Sequence, residues 1–430
     1  MAQPTRRIFA GTLLASATAE FLEPVRAAAA GTKPVRITGV DAFRLDIPTK
    51  GTPLEDVTKG RPNRASVVKV ETDAGVRGYS FGGTQADLDR VVRPMLVGRD
   101  LFAIDPLLKD GGRGISLGSV GGTLTTSNFA SIGFGAVEHA LWDAIGKIAG
   151  LPVHRLVGGY NAITAIKAYP TYVWPGRSDQ TQVSYKQMAD LSLKVKKAGY
   201  KGIKFRCWRP NPMDDVDACG EISAAVGPDF AIMWDRTADW AGWVWDYETA
   251  LKVCRGMEKN HAYWVEEPFA RTDLLSAKRL RQEVDIFITG GNGIVSLDEA
   301  REMLVAEAFD IVQPDAVAAG GILPNVKLGH LCEAFHTPVT LHGAMGLRLD
   351  APLQISSAIG APWQEFALVN PPLLPEEEWM AAAKVLDRKE TFVVKDGEIQ
   401  IPQGPGLGMD VNEEAIEQYR AASEPRPAHP

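Results

Sequence analysis

The sequence predicts an α/β protein in which an eight-stranded (β/α) barrel is accompanied by a separate α+β block. From Ile163 onward, apolar runs of strand length alternate with helical patterns, as parallel strands joined by helices require. Several of these runs end in a polar or acidic residue, and barrel enzymes carry their site residues at the carboxyl ends of the strands. A doubly wound open sheet would instead need a glycine-rich phosphate turn after an early strand, and none occurs there.

Eight apolar runs supply the strands of the predicted barrel. The first two are Ile163–Tyr169 and Lys201–Cys207, and the last is Trp363–Leu368. The five between them lie at residues 230–234, 262–265, 285–291, 309–314 and 338–341. Helical patterns separate the strands at residues 185–197, 247–259, 276–282, 297–307 and 326–335. Eight parallel strands joined in this way close most naturally into a barrel.

The residues before and after the barrel follow a different pattern. Strands are predicted at 35–47, 66–72 and 76–81, with a hairpin turn at Asp73-Ala74-Gly75, and helices at 85–96 and 127–149. The tail is predicted to form strands near residues 391–402 and a short helix near 413–420, and to pack back on this first block. The predicted domains are an export signal at 1–30, the α+β block at 31–160, the barrel at 161–384 and the returning tail at 385–430.

The composition is that of an ordinary globular protein. The 430 residues include 45% hydrophobic and 23% charged residues, an ordinary proportion for a folded chain. The net charge of −7 offers no basic surface, so nucleic acid is not an expected partner. The cysteines lack metal-ligand spacing and are expected to be free buried thiols, with a Cys219–Cys254 bridge as the alternative. They are Cys207, Cys219, Cys254 and Cys332.

The first thirty residues resemble a twin-arginine export signal. Thr5-Arg6-Arg7 opens the apolar run Ile8–Ala19, and the small residues Ala27–Ala30 follow. This order predicts a cleaved signal and a periplasmic protein. The alternative is an amphipathic N-terminal helix on a cytoplasmic protein. Beyond the signal, no apolar run approaches the roughly 20 residues that span a bilayer, so no membrane contact is expected after cleavage.

Three oxygen-bearing side chains follow three successive predicted strands. They are Asp235, Glu266 and Asn292. In a barrel these residues share one rim, and two carboxylates with an amide carbonyl suit Mg²⁺. For any one of them the alternative is a cap on the next helix, but three in consecutive units favour a metal site.

Two cations and a proton-transfer pair lie on other strands. Lys204 and Arg206 are two residues apart, so strand alternation directs both to one face, where buried cations would need anionic partners. Asp315 and His342 end neighbouring strands. An aspartate beside a histidine fixes its tautomer and produces a general base near neutral pH.

Several motifs together make the sequence similar to the mandelate racemase/muconate lactonizing family of the enolase superfamily. The resemblance runs from about Val35 to about Arg420. The motifs are Ala136-Val137-Glu138-His139-Ala140-Leu141-Trp142-Asp143 with Gly158-Gly159, the Lys-x-Arg of the second strand, Trp264-Val265-Glu266-Glu267-Pro268, Gln313-Pro314-Asp315 with Gly320-Gly321-Ile322, and Leu341-His342-Gly343. The resemblance implies a modified (β/α)8 TIM-type barrel under an α+β capping domain built from both chain ends.

The resemblance also implies roles for individual residues. It places Asp235, Glu266 and Asn292 at the ligand positions of one Mg²⁺ per subunit, with asparagine as in the glucarate dehydratase group. It places Asp315 and His342 at a dyad of the mandelate racemase type. A sixth residue, Glu365, matches the acid that hydrogen-bonds an enolate oxygen. A small carboxylate substrate and a homo-oligomeric assembly are expected on the same ground.

The second strand departs from the family's usual Lys-x-Lys. The family's second lysine is a base on one substrate face, whereas Arg206 stays protonated at ordinary pH. A racemase needs two bases, but His342 alone suffices for elimination while Mg²⁺ and Lys204 stabilise the enediolate. The expected activity is a sugar-acid dehydratase that yields a 2-keto-3-deoxy acid. The alternatives are a racemase, epimerase or cycloisomerase, or an exported carboxylate-binding protein without turnover.

The choice of substrate is expected to depend on two loops. Pro48–Asn63 and Gly111–Gly122 are rich in glycine or proline and lack periodicity, which is typical of lids and also of exposed variable segments. Aromatic residues after the third strand are further candidates, with simple packing as the alternative. They are Trp240, Trp243 and Trp245.

Overall fold

The computed structural model describes eleven stretches of the chain. They are residues 33–47, 63–82, 92–104, 134–159, 163–171, 183–237, 244–343, 346–367, 382–388, 392 and 394–421. The predicted export signal, the loop Gly111–Gly122, Trp240 and Trp243 lie outside the described residues, as does the loop Pro48–Asn63 except for its last residue. Within the described residues, no helix combines the length and apolar character needed to cross a bilayer. The four cysteines are buried and free, as predicted.

The N-terminal block is an antiparallel sheet covered by helices. Its strands β1 (Ile37–Ile47), β2 (Asn63–Thr72) and β3 (Arg77–Phe81) pair in the order β1-β2-β3, which confirms the predicted hairpin. Its helices are α1 (Arg93–Leu96), α2 (Phe134–Ala149) and α3 (Val153–Leu156). The buried face of α2 packs with buried residues of β1 and β2 into a core separate from that of the barrel.

The barrel contains the predicted helices and seven of the eight predicted strands, together with two helices, at 212–226 and 350–359, that the pattern did not predict. Its strands are β4 (Ala165–Thr171), β5 (Gly202–Arg206), β6 (Ala231–Asp235), β7 (Ala262–Glu266), β8 (Phe287–Gly290), β9 (Ile311–Val312) and β10 (Trp363–Ala367). Its helices are α4 (Tyr185–Lys197), α5 (Pro212–Val226), α6 (Tyr247–Lys259), α7 (Leu274–Glu283), α8 (Leu297–Val305), α9 (Ile322–Ala334) and α10 (Asp350–Ile359). The strands pair in parallel from β4 to β9, and β10 pairs with β4.

Between β9 and β10, the predicted seventh strand makes isolated bridges rather than a regular ladder. Val339 bridges to Val312 and Leu341 to Gln364, both in parallel. The segment therefore lies between its two expected neighbours, and the fold is the predicted TIM-type barrel with a modified strand.

The tail divides its contacts between the barrel and the N-terminal block. The strands β11 (Val394–Lys395) and β12 (Glu398–Gln400) form a hairpin, and β12 pairs antiparallel with β4. Farther on, the Leu407 N–H donates to Asp143 on α2 at 2.9 Å, and α11 (Glu413–Gln418) follows. The sequence predicted only the second set of contacts, because alternation identifies a strand without identifying its partner.

Polar side chains begin most of the barrel helices, but α9 begins differently. The N-cap residues of α4 to α8 are Ser184, Asn211, Asp246, Asp273 and Ser296, and each accepts a backbone N–H. Helix α9 has Gly321 at this position, with no side-chain cap. Instead, Glu138 of α2 accepts the N–H groups of Ile322 at 2.6 Å and Leu323 at 2.9 Å. The N-terminal block thus caps a barrel helix.

Glu138→Ala is expected to lower the free energy of unfolding by about 1–3 kcal/mol, because two buried N–H donors lose their acceptor. Glu138 is fully buried, and burial raises its pKa to about 7. Urea unfolding of the variant measures the loss. Glu414→Ala, on the exposed side of α11, is the control. An equal effect of the two substitutions would contradict the capping role.

Candidate active site

A buried lysine lies at the centre of the site. Lys204 Nζ is 2.8 Å from Glu266 Oε2, 2.7 Å from Glu365 Oε1 and 3.7 Å from Asp235 Oδ2. The lysine and its three partners are almost entirely buried. Strands β5, β6 and β7 are adjacent and in register, with Arg206 opposite Asp235 and Asp235 opposite Glu266, while β10, which carries Glu365, is joined to β5 through β4. Parallel pairing therefore brings residues from four strands into one charge cluster.

The second cation of the site is Arg206, whose side chain is 14% exposed. Its Nη1 is in ion-pair contact with Asp235 Oδ2 and lies 3.3 Å from the hydroxyl of Thr237. Thr237 in turn donates its N–H and hydroxyl to Asp235 Oδ1, at 2.7 and 3.0 Å. The Arg206 guanidinium also lies 5.7 Å from the ring centre of Trp208. Arg206 is thus held beside one of the predicted metal ligands.

Glu365 connects this cluster to the segment that carries the histidine. Its Oε1 accepts from the Thr171 hydroxyl, and its Oε2 accepts from the Gly343 N–H at 2.7 Å. Burial alone would raise the pKa of Glu365, but Lys204, His342 and Arg206 together hold it well below its usual value. The carboxylate is therefore ionised and fixed at both oxygens.

Asp315 and His342 lie side by side on neighbouring segments. They form a parallel bridge, and His342 Nδ1 is 3.6 Å from Asp315 Oδ2. Asp315 Oδ1 accepts the N–H groups of Val317 and Ala318, both at 2.8 Å. Burial opposes ionisation of Asp315, but His342 and these two N–H groups outweigh it and lower its pKa. The side chains are 26% and 23% exposed, so the dyad is open to a ligand.

Each of the three predicted metal ligands has a buried oxygen that accepts no hydrogen bond. Glu266 Oε1 and Asn292 Oδ1 are buried without a hydrogen-bond partner in the described structure, and Asp235 Oδ2 also accepts no hydrogen bond but is in ion-pair contact with Arg206. Buried oxygens without partners are costly, and a hard cation would satisfy them. Among the described residues, no three His, Cys, Asp or Glu side chains are grouped to hold a metal. A metal site here therefore requires the amide oxygen.

The predicted site residues do not all belong to one contact network. Lys204, Arg206, Asp235, Glu266 and Glu365 form one contact network. Asn292 contacts Glu267 rather than this network, with its Nδ2 donating to Glu267 Oε2 at 3.1 Å. The dyad joins the network through the Gly343 N–H, which follows His342 in the chain.

Residues that the sequence analysis did not select also belong to the site. Gln313 Nε2 donates to Glu266 Oε2 at 3.2 Å, and the ring centre of Tyr169 is 5.8 Å from Lys204 Nζ. Thr171 donates a hydrogen bond to Glu365, and Glu267 accepts one from Asn292. Burial, followed by the neighbouring Glu266, raises the pKa of Glu267 to about 7. Thr171 and Gln313 end predicted strands or lie just beyond them, which is the signal that could have identified them.

The sequence was compared with known families and proteins. A model of enolase C-terminal domain-like sequences matches residues 187–415, and a model of the N-terminal domain of mandelate racemase and muconate lactonizing enzyme matches residues 43–158. The arabinonate dehydratase of Saccharolobus solfataricus is 27% identical over 84% of this chain and 92% of its own length. The 3,6-anhydro-alpha-L-galactonate cycloisomerase of Streptomyces coelicolor is 25% identical over 87% and 96% of the two chains.

Solved structures agree with these relatives. The crystal structure of D-glucarate dehydratase from Agrobacterium tumefaciens, complexed with magnesium, superposes with a TM-score of 0.71 at 26% identity. The superposition covers 90% of this chain and 99% of that one. The family models together span both the N-terminal block and the barrel. The chain therefore belongs to the mandelate racemase/muconate lactonizing enzyme family of the enolase superfamily.

Proposed function

We propose that the protein is a Mg²⁺-dependent dehydratase of a sugar acid, which forms a 2-keto-3-deoxy acid. The observation that carries the proposal is the dyad of Asp315 with His342, which can act as a base, in a site where Arg206 takes the place of a second base among the described residues. An arginine stays protonated and cannot remove a proton from the opposite substrate face. Elimination with one base fits this arrangement, and the names of the arabinonate and glucarate dehydratases support it.

In this proposal His342 carries the proton. Asp315 Oδ2 lies 3.6 Å from His342 Nδ1 and would orient the ring through it, which leaves Nε2 to remove the proton α to the substrate carboxylate. The electron pair of that bond forms an enediolate, whose negative charge Lys204 stabilises. His342 then returns the proton to the β-hydroxyl, the C–O bond breaks and water leaves. The resulting enol takes a proton from solvent at the β-carbon and releases its hydroxyl proton, which gives the 2-keto acid.

The remaining residues bind and orient the substrate. Arg206 would pair with a carboxylate or hydroxyl of the sugar acid, as it now pairs with Asp235. Glu365, fixed by Thr171 and the Gly343 N–H, would hydrogen-bond an enolate oxygen. One Mg²⁺ per subunit would be held by Asp235, Glu266 and Asn292, and when bound it would polarise the substrate carboxylate as a Lewis acid.

Removal of the metal is expected to silence the enzyme. Without the cation, Lys204 alone stabilises the charge that develops on the carboxylate, so 2-keto acid formation should fall to background after chelation. Added Mg²⁺ should restore it. The assay is incubation with a panel of aldonic and aldaric acids followed by 2-keto acid detection. Turnover that persists in a metal-free preparation would contradict the three-ligand assignment.

A cycloisomerase is the second candidate, because one relative bears that name. It would begin with the same proton removal but would close or open a ring without releasing water. The acid panel distinguishes the two activities when the products are analysed by mass. A product lighter than the substrate by one water supports the dehydratase, and a product of equal mass supports the cycloisomerase.

A further inference from the structure

Glu267 is a buried acid that the proposed chemistry does not use. Strand β7 ends at Glu266, and Glu267 follows with a backbone φ of 48° and a side chain that is 2% exposed. A non-glycine residue in this left-handed region costs of order 1–3 kcal/mol, and a buried carboxylate adds to that cost. The two glutamates serve different neighbours, since Glu266 contacts Lys204 whereas Glu267 contacts Asn292 and Arg271.

The contacts of Glu267 hold it from two sides. Its Oε2 accepts from Asn292 Nδ2 at 3.1 Å, and its Oε1 lies 3.4 Å from Arg271 Nε. Next to Asn292 stands Gly293, where any Cβ atom would collide with the Arg271 guanidinium. The glycine therefore makes room for the arginine, which pairs with the glutamate.

The hydrogen bond to Glu267 fixes the orientation of the Asn292 side-chain amide. An amide has one donor end and one acceptor end, and an ionised carboxylate can only accept. If the amide turned over, Asn292 Oδ1 would meet Glu267 Oε2, and two acceptors would repel. The observed orientation leaves Asn292 Oδ1 buried and without a hydrogen-bond partner.

We propose that Glu267 is a positioning residue for the metal: it holds the carbonyl oxygen of Asn292 toward the Mg²⁺ position and supplies negative charge one hydrogen bond away. The proposal rests on the metal site of the proposed function. A hydrogen bond from an amide N–H to a carboxylate polarises the amide and makes its oxygen a stronger ligand. Glu267 thus compensates for the charge that asparagine, as a third ligand, lacks.

Titration of metal-stripped protein with Mg²⁺ at pH 8, followed by calorimetry, tests the role without an activity assay. Glu267→Gln should weaken Mg²⁺ binding about 10–100-fold, the usual effect of removing a partner of a metal ligand. The control is Glu283→Gln, because Glu283 also accepts a hydrogen bond, from Tyr247, and pairs with Arg279. The control should bind Mg²⁺ as the unaltered protein does.

A second background separates positioning from a general structural role. In Asn292→Asp, the ligand itself is charged, and Glu267 becomes a repelling neighbour. Adding Glu267→Gln to that variant should leave Mg²⁺ affinity unchanged or increase it. A merely structural role would weaken binding in both backgrounds, and that result would overturn the proposal.

The outcomes distinguish the two proposals. If the unaltered protein shows no saturable Mg²⁺ binding, the metal site itself is wrong. If it binds Mg²⁺ and Glu267→Gln binds equally well, only the role of Glu267 is wrong. Should Glu267→Gln fail to fold, Glu267→Asp makes the same test, since it keeps the charge but withdraws it from Asn292. Unchanged affinity in that variant would also overturn the role.

Discussion

His342→Asn is expected to lower kcat for dehydration by about 10²–10⁴-fold, the usual contribution of a general base. Asparagine has a similar size but cannot accept a proton at neutral pH. Asp315 keeps its two backbone N–H partners in the variant, so the turn at Val317 and Ala318 should persist. The protein should therefore stay folded while it loses proton transfer.

Two measurements check this result. Formation of 2-keto acid gives kcat, and exchange of the substrate α-proton in deuterium oxide reports the first step alone. Both should fall together in His342→Asn, with the circular dichroism spectrum unchanged. His330→Asn, at an exposed histidine of α9, is the control and should retain full activity. Turnover within tenfold of the unaltered enzyme would remove His342 from the role of base.

Lys204→Met is expected to reduce both stability and activity. Removal of the cation leaves Asp235, Glu266 and Glu365 buried without their shared partner. Breaking a buried ion pair in this way costs about 3–5 kcal/mol of unfolding free energy. The enediolate would also lose a stabilising charge, so the fraction that folds should show little turnover.

The pH dependence identifies the cause of that destabilisation. Lys204 contributes to holding the pKa of Glu365 below its ordinary value of 4.5. The stabilisation is thus present above that value and is lost as the pH falls through the lower, folded pKa. The stability difference between Lys204→Met and the unaltered protein should therefore be largest at neutral pH and shrink in acid. Urea unfolding across pH measures it, with the exposed Lys201→Met as the control. A difference that is independent of pH would indicate lost packing instead.

Strand periodicity accounts for what the sequence could predict. Lys204 and Arg206 are two residues apart, and the register pairs them with Met233 and Asp235 on β6. The order of the strands likewise places Asp315 beside His342. A period of two residues and the parallel order of a barrel are enough to derive these positions.

Turn geometry and strand pairing account for what the sequence could not predict. Glu267 adopts a positive φ, which the presence of a glutamate in the sequence does not indicate. Its contact with Asn292 depends on the turn that this φ produces. The pairing of β12 with β4 joins residues far apart in the chain, with no pattern to specify it. The segment at 338–341 was predicted as a regular strand, but it makes isolated bridges, because apolar residues at strand spacing do not fix how many ladder bonds form.

The cap that Glu138 provides for helix α9 limits how this enzyme could be recombined with its relatives. Helix α9 begins a few residues after Asp315, so the N-terminal block anchors the helix that follows the proposed proton-transfer dyad. A chimera that exchanged this block for that of another family member would exchange the predicted substrate loops and the helix anchor together. Such an exchange would keep α9 capped in this way only if the incoming helix brought an acid to the place of Glu138.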